Sequence, residues 1–110
     1  MGMARKNFDS ADESMQPVEK IKVDTVELGT KFQRVTAAAG WKWSVDLQPV
    51  FKTDSCQVDH LLYMLSGRMG VRMDDGQEIE YGPGDLAAIP PGHDGWGIGD
   101  EETVWIEIPH

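Results

Sequence analysis

From Ile21 onward apolar and polar residues alternate in short runs: Ile21 and Val23, then Val26 and Leu28, then Phe32 to Thr36, then Trp41, Trp43, Val45 and Leu47. An extended chain turns successive side chains to opposite faces, so this period of two predicts half-buried strands. Turn signals at Gly29, Gly40, Asp75-Gly76, Gly82-Pro83-Gly84, Pro90-Pro91-Gly92 and Gly99-Asp100 separate the runs, a spacing expected of an all-β sandwich or barrel. Two hairpins are predicted. Met69 to Met73 and Gln77 to Tyr81 flank Asp75-Gly76, a tight-turn pair, and Trp96 to Ile98 and Thr103 to Ile108 flank Gly99-Asp100-Glu101-Glu102. No helix longer than two turns is expected, and no solenoid period is present. Closing so many short strands into a barrel would protect their edges.

Residues 1 to about 16 break the alternation. They are polar, and Asp9-Ser10-Ala11-Asp12-Glu13 suits the cap of a short helical turn. Residues 1–28 are therefore expected to form an arm with short strands, exchanged between two copies in a homodimer, and residues 29–110 the barrel. At 110 residues a single core should bury roughly 65% of the unfolded chain's surface, without structural help from disulfides. Cys56 is the only cysteine, no apolar run reaches the roughly 20 residues of a membrane span, and the charged N-terminus does not read as a secretory signal. A soluble, cytoplasmic protein is the expectation. Residues 1–52 carry eight basic and seven acidic side chains, residues 53–110 two and twelve, for a net charge of −9. That acidic half disfavours nucleic acid and anionic membranes as partners and favours a cation or a neutral small molecule.

Gly84, Pro90 and Gly92 fit G-x5-P-x-G, the opening of the second motif of the cupin superfamily. Gly67 fits the glycine that closes the first motif, and the sixteen residues between Gly67 and Gly84 match the short spacer of minimal bacterial cupins. From about Gly40 onward the chain thus resembles a small cupin, which implies a double-stranded β-helix or jelly-roll barrel. The usual metal ligands do not keep their identities. His60 stands where the family has glutamate, Asp54 and Cys56 fall on the two first-motif histidines, Gly95 on the second-motif histidine, Gln48 on the opening glycine and Gly99 on the closing asparagine. His93, two residues before Gly95, keeps the same strand face.

The resemblance turns His60, Leu62 and Met64 toward the barrel interior. Two imidazoles, a thiolate and a carboxylate, from His60, His93, Cys56 and Asp54, would suit a divalent iron, zinc, manganese, copper or nickel ion. Trp43 and Trp96 are expected to join His60, Leu62 and Met64 around a ligand pocket, although tryptophans at such positions also serve as ordinary core. Three readings of function stand: a stand-alone cupin that holds a small molecule, with or without a divalent metal; a metal-dependent oxygenase or isomerase; and a metal-free sensing or structural module. The barrel alone does not choose among them.

Overall fold

The alternation resolves into nine strands among residues 2–110, which are those described by the computed structural model. They are β1 (Glu13–Val18), β2 (Ile21–Glu27), β3 (Lys31–Ala37), β4 (His60–Ser66), β5 (Arg68–Met73), β6 (Glu78–Tyr81), β7 (Leu86–Ile89), β8 (His93–Ile98) and β9 (Thr103–Glu107). All pair antiparallel in two sheets, a larger one ordered β1-β2-β3-β9-β4-β7 and a smaller one ordered β6-β5-β8. The inner faces enclose a core of Ile21, Val35, Leu62, Met64, Ala87 and Trp105 from the larger sheet with Met69 and Val71 from the smaller. This is the expected all-β cupin jelly roll.

The first hairpin forms as expected: β5 pairs with β6, and Gly76 takes the positive φ of 92° that its turn requires. The second does not. β8 pairs with β5 in the smaller sheet while β9 lies between β3 and β4 in the larger, so Gly99 to Glu102 carry the chain from one sheet to the other. The β4 to β5 connection crosses at the same corner through Gly67. Its φ is 74°, and a Cβ there would run into the backbone of Glu102 and Thr103.

The alternating run from Trp41 is also corrected. Instead of a strand, Trp43–Leu47 form a π-helical turn that leads directly into a one-turn helix α1 (Gln48–Phe51). Asp46 holds this shape by accepting the Lys42 backbone N–H at 2.8 Å, and Pro49 stands in the first turn of α1, where its missing N–H costs nothing. Trp41 and Trp43 still point inward, but Val45 is 64% exposed. Period two was here a coincidence of two inward tryptophans in a chain leaving the extended conformation.

At the other end, β1 adds to β2, and the register slips between Met15 and Val18, leaving Gln16 and Pro17 outside the ladder. The short helical turn is Phe8–Ser10, capped by Asn7 rather than by an acidic residue. It is fastened by Arg34, whose guanidinium reaches Asp9 at 3.0 Å and the buried Asp24 at 2.9 Å, with the Phe8 ring 5.5 Å away. Asp24 accepts a further bond from the Ser14 hydroxyl at 2.7 Å. Burial alone would raise the Asp24 pKa, but the bonds from Ser14 and Arg34 outweigh it and hold the carboxyl below its usual value.

Candidate metal centre and its cavity

Three segments bring the donors together. Cys56 lies in the loop before β4, and its backbone bridges to the start of β8: its N–H donates to the His93 carbonyl at 2.7 Å, and Gly92 N–H donates to its own carbonyl at 2.7 Å. The Pro90-Pro91-Gly92 bend therefore does more than end β7, because it sets the loop against the strand. His60 opens β4 on the inward face shared with Leu62 and Met64. His93 opens β8, 5% exposed.

The donor atoms of Cys56, His60 and His93 all lie within 4.8 Å of one another. Cys56 Sγ is 3.8 Å from His60 Nε2, and the two imidazole rings meet edge to face with centroids 5.2 Å apart. Each imidazole is oriented from behind. His60 Nδ1 is 3.0 Å from both oxygens of Glu107, and His93 Nδ1 is 2.8 Å from the Pro90 carbonyl. With Nδ1 as the donor in each bond, Nε2 is left for the cluster, the arrangement that supporting carboxylates and carbonyls give to metal-binding histidines. Trp105 Nε1 donates to Glu107 at 2.7 Å and fixes the carboxylate in turn.

Burial would push the Cys56 thiol up, but the neighbouring His60 and His93 reverse this and lower it to about 6. Burial would likewise lower His60, yet the sulfur and the Glu107 carboxylate raise it to about 9. Near neutral pH the pair is thiolate and imidazolium. One soft sulfur and two imidazoles suit zinc, iron or copper, and three protein ligands leave a coordination position open. Donors bound at about 2.0–2.3 Å in a tetrahedral site lie about 3.3–3.7 Å apart, so the cluster fits such an ion after contracting by about 1 Å.

The cluster opens into a cavity of about 120 Å³. Trp43 and Leu62 line it as expected, together with Trp41, Trp105, Ile89 and Phe51. Three expected residues fall elsewhere. Asp54 is an exposed loop residue outside the donor cluster, and Met64 is fully buried in the core without lining the cavity. Trp96 lies on the opposite face of β8: its ring covers Gly70, and the Lys42 ammonium is 5.9 Å from it. Strand alternation decides this, since His93, Gly95 and Gly97 take the inner face.

Glu107 escapes the sequence reasoning. The signal available was a carboxylate on the same strand face as Thr103 and Trp105, both otherwise inward. The cavity wall also holds one orphan. Trp41 Nε1 donates to Thr103 Oγ1 at 3.3 Å and Trp105 Nε1 to Glu107, but Trp43 Nε1 is buried with no acceptor among the described residues. Leaving such an N–H unsatisfied costs about 1–3 kcal/mol.

Residues 36–105 match the EutQ-like cupin domain family. No curated protein matches the chain in sequence. A protein of unknown function from Rhizobium leguminosarum bv. viciae 3841 superposes with a TM-score of 0.67 at 22% identity, covering 100% of both chains. The ethanolamine utilization protein Q assigned in Salmonella typhimurium LT2 gives 0.54 at 15% identity over 79% of this chain and 66% of that one. HppE in its FeII form gives 0.63 at 10% identity, and this chain, covered over 96%, spans 59% of it. At such identities the likeness speaks for the shared barrel alone.

Proposed function

Because the chain belongs to the EutQ-like cupin domain family and its barrel gathers three donors, we propose that it holds one divalent transition metal through Cys56, His60 and His93 and binds a small molecule beside it. The observation that carries this reading is the 4.8 Å cluster at the wall of a cavity. A metal bound there would supply Lewis acidity at an open position. The chain's own contribution is orientation: Glu107 and the Pro90 carbonyl aim the two imidazoles, and the apolar walls keep bulk water from the donors.

Elemental analysis of protein purified without chelator or affinity metal, beside His60→Ala, tests this directly. Near-stoichiometric iron, zinc, manganese, copper or nickel that disappears in the variant is the expected result. No metal after anaerobic reconstitution would overturn it and leave a metal-free binding or structural module.

The three-ligand count also favours a second reading, a metal-dependent enzyme of oxygenase or isomerase type, since structural zinc sites are generally closed by four protein ligands. An iron form is on record for the structural neighbour HppE. In cobalt-loaded protein, a visible spectrum that shifts with added azide would support an open position. A spectrum indifferent to azide would sink the enzyme reading while leaving the metal in place.

A further inference from the structure

We propose that the cavity selects an uncharged, ring-sized molecule with one hydrogen-bond acceptor, and that the Trp43 indole N–H is the donor that binds it. The inference deepens the small-molecule reading above and rests on it.

Size sets the first limit. A cavity of about 120 Å³ is slightly smaller than the ~150 Å³ apolar cavity that accommodates benzene, so a single ring is about what its enclosed part can hold. Shape and polarity set the second. Trp41, Trp43, Phe51 and Trp105 supply aromatic walls, on which a flat ring can pack offset or edge-on.

Charge sets the third limit. No lysine or arginine lines the cavity, and the chain carries a net charge of −9. A carboxylate or phosphate would lose its hydration there without a fixed cationic partner from a side chain other than His60 or His93.

Trp43 supplies the specificity. It is 5% exposed, it lines the cavity, and its Nε1–H is the buried side-chain polar group without a partner among the described residues. The two neighbouring tryptophans on the wall have their N–H groups satisfied by Thr103 and Glu107. Aromatic wall and unused donor thus belong to one side chain. A ligand oxygen that accepts this bond removes the penalty that an apolar isostere leaves in place.

Phenol, toluene and benzoate test the three limits, titrated into 15N-labelled protein with and without bound zinc while the zinc content of each sample is measured. Phenol is expected to move the Trp43 indole cross-peak in both samples and to lose about tenfold in affinity in Trp43→Phe. Toluene, matched in size, should lose markedly less in the same variant, so the cycle isolates the hydrogen bond. Equal losses for the two ligands, or an indole peak indifferent to phenol, overturn the role of Trp43. Benzoate binding as tightly as phenol without zinc overturns the preference for an uncharged ligand. If Trp43→Phe fails to fold, the wild-type indole shift still decides. Zinc retained with no response to phenol sinks this inference alone, whereas failure to bind zinc sinks the metal reading and leaves the ligand result to stand by itself.

Discussion

Two polar clusters are buried in this molecule, and they differ in how completely they are satisfied. Around Asp24 every partner is engaged: Ser14 and Arg34 donate to the two carboxylate oxygens, Lys22 approaches to 3.7 Å, and Arg34 is also held by Asp9. Around Cys56 the supporting bonds are equally definite, yet they all run behind the histidines, while the sulfur and two Nε2 atoms converge on shared space and Trp43 keeps an unused donor. A fully satisfied network fixes a structure; one with converging spare donors is poised for something else to complete it. The first cluster fastens the N-terminal turn to β2 and β3, and the second is the candidate site.

The contrast can be broken most directly at Asp24. Asp24→Ala strands the Arg34 guanidinium, itself about a quarter exposed, and should cost about 3 kcal/mol in urea unfolding. A loss under about 1 kcal/mol would mean that the satisfied cluster is not structural. The same carboxylate sharpens the comparison through pH. Its folded pKa lies below the unfolded value, so its stabilisation is present above about pH 4 and fades as pH falls through the folded pKa. Urea midpoints measured from pH 5 to 3 should drop less steeply in Asp24→Asn than in wild type.

At the other cluster the effect should fall on metal before stability. Glu107→Gln is expected to weaken zinc binding about 10–100-fold, read by competition with a chromophoric chelator, with less than about 1 kcal/mol lost in unfolding of the metal-free protein. Unchanged zinc affinity would reduce Glu107 to an acceptor for Trp105. The smallest effect is expected for Cys56→Ser, which should change metal-free stability by about 1 kcal/mol or less. Its informative counterpart is alkylation of wild-type, metal-free protein by iodoacetamide. With the thiol lowered to about 6, thiolate dominates above that pH, and the rate should rise with a midpoint near 6 rather than the ordinary ~8.5. A midpoint near 8.5 would show that His60 and His93 do not act on the sulfur.

Much of this architecture was legible locally. Alternation located the strands, Asp75-Gly76 fixed a hairpin, and Gly84, Pro90 and Gly92 carried the cupin resemblance, because each depends on neighbours within a few residues. What failed was long-range. That β8 and β9 belong to different sheets follows from β9 pairing with β3 and β4, and adjacency in sequence suggested the opposite. Glu107 meets His60 across forty-seven residues of chain, because β9 pairs with β4, so no local pattern announced it. Trp96 was misplaced for a smaller reason: its parity relative to His93 puts it outside, and His93 was itself displaced from the family position. The helical turns at Trp43 to Phe51 were hidden by tryptophans two residues apart, a spacing that serves an inward turn as well as a strand.

Pro17 gives the last strand of the larger sheet a further property. An outermost strand offers free N–H and C=O groups on which another chain can template, the first step toward a self-propagating fibre. In β1 the slipped register and the missing amide of Pro17 interrupt that row, and Glu13 sets a charge at its start. The strand is therefore finished chemically as well as topologically: it closes one side of the sheet while denying neighbours a continuous ladder to copy.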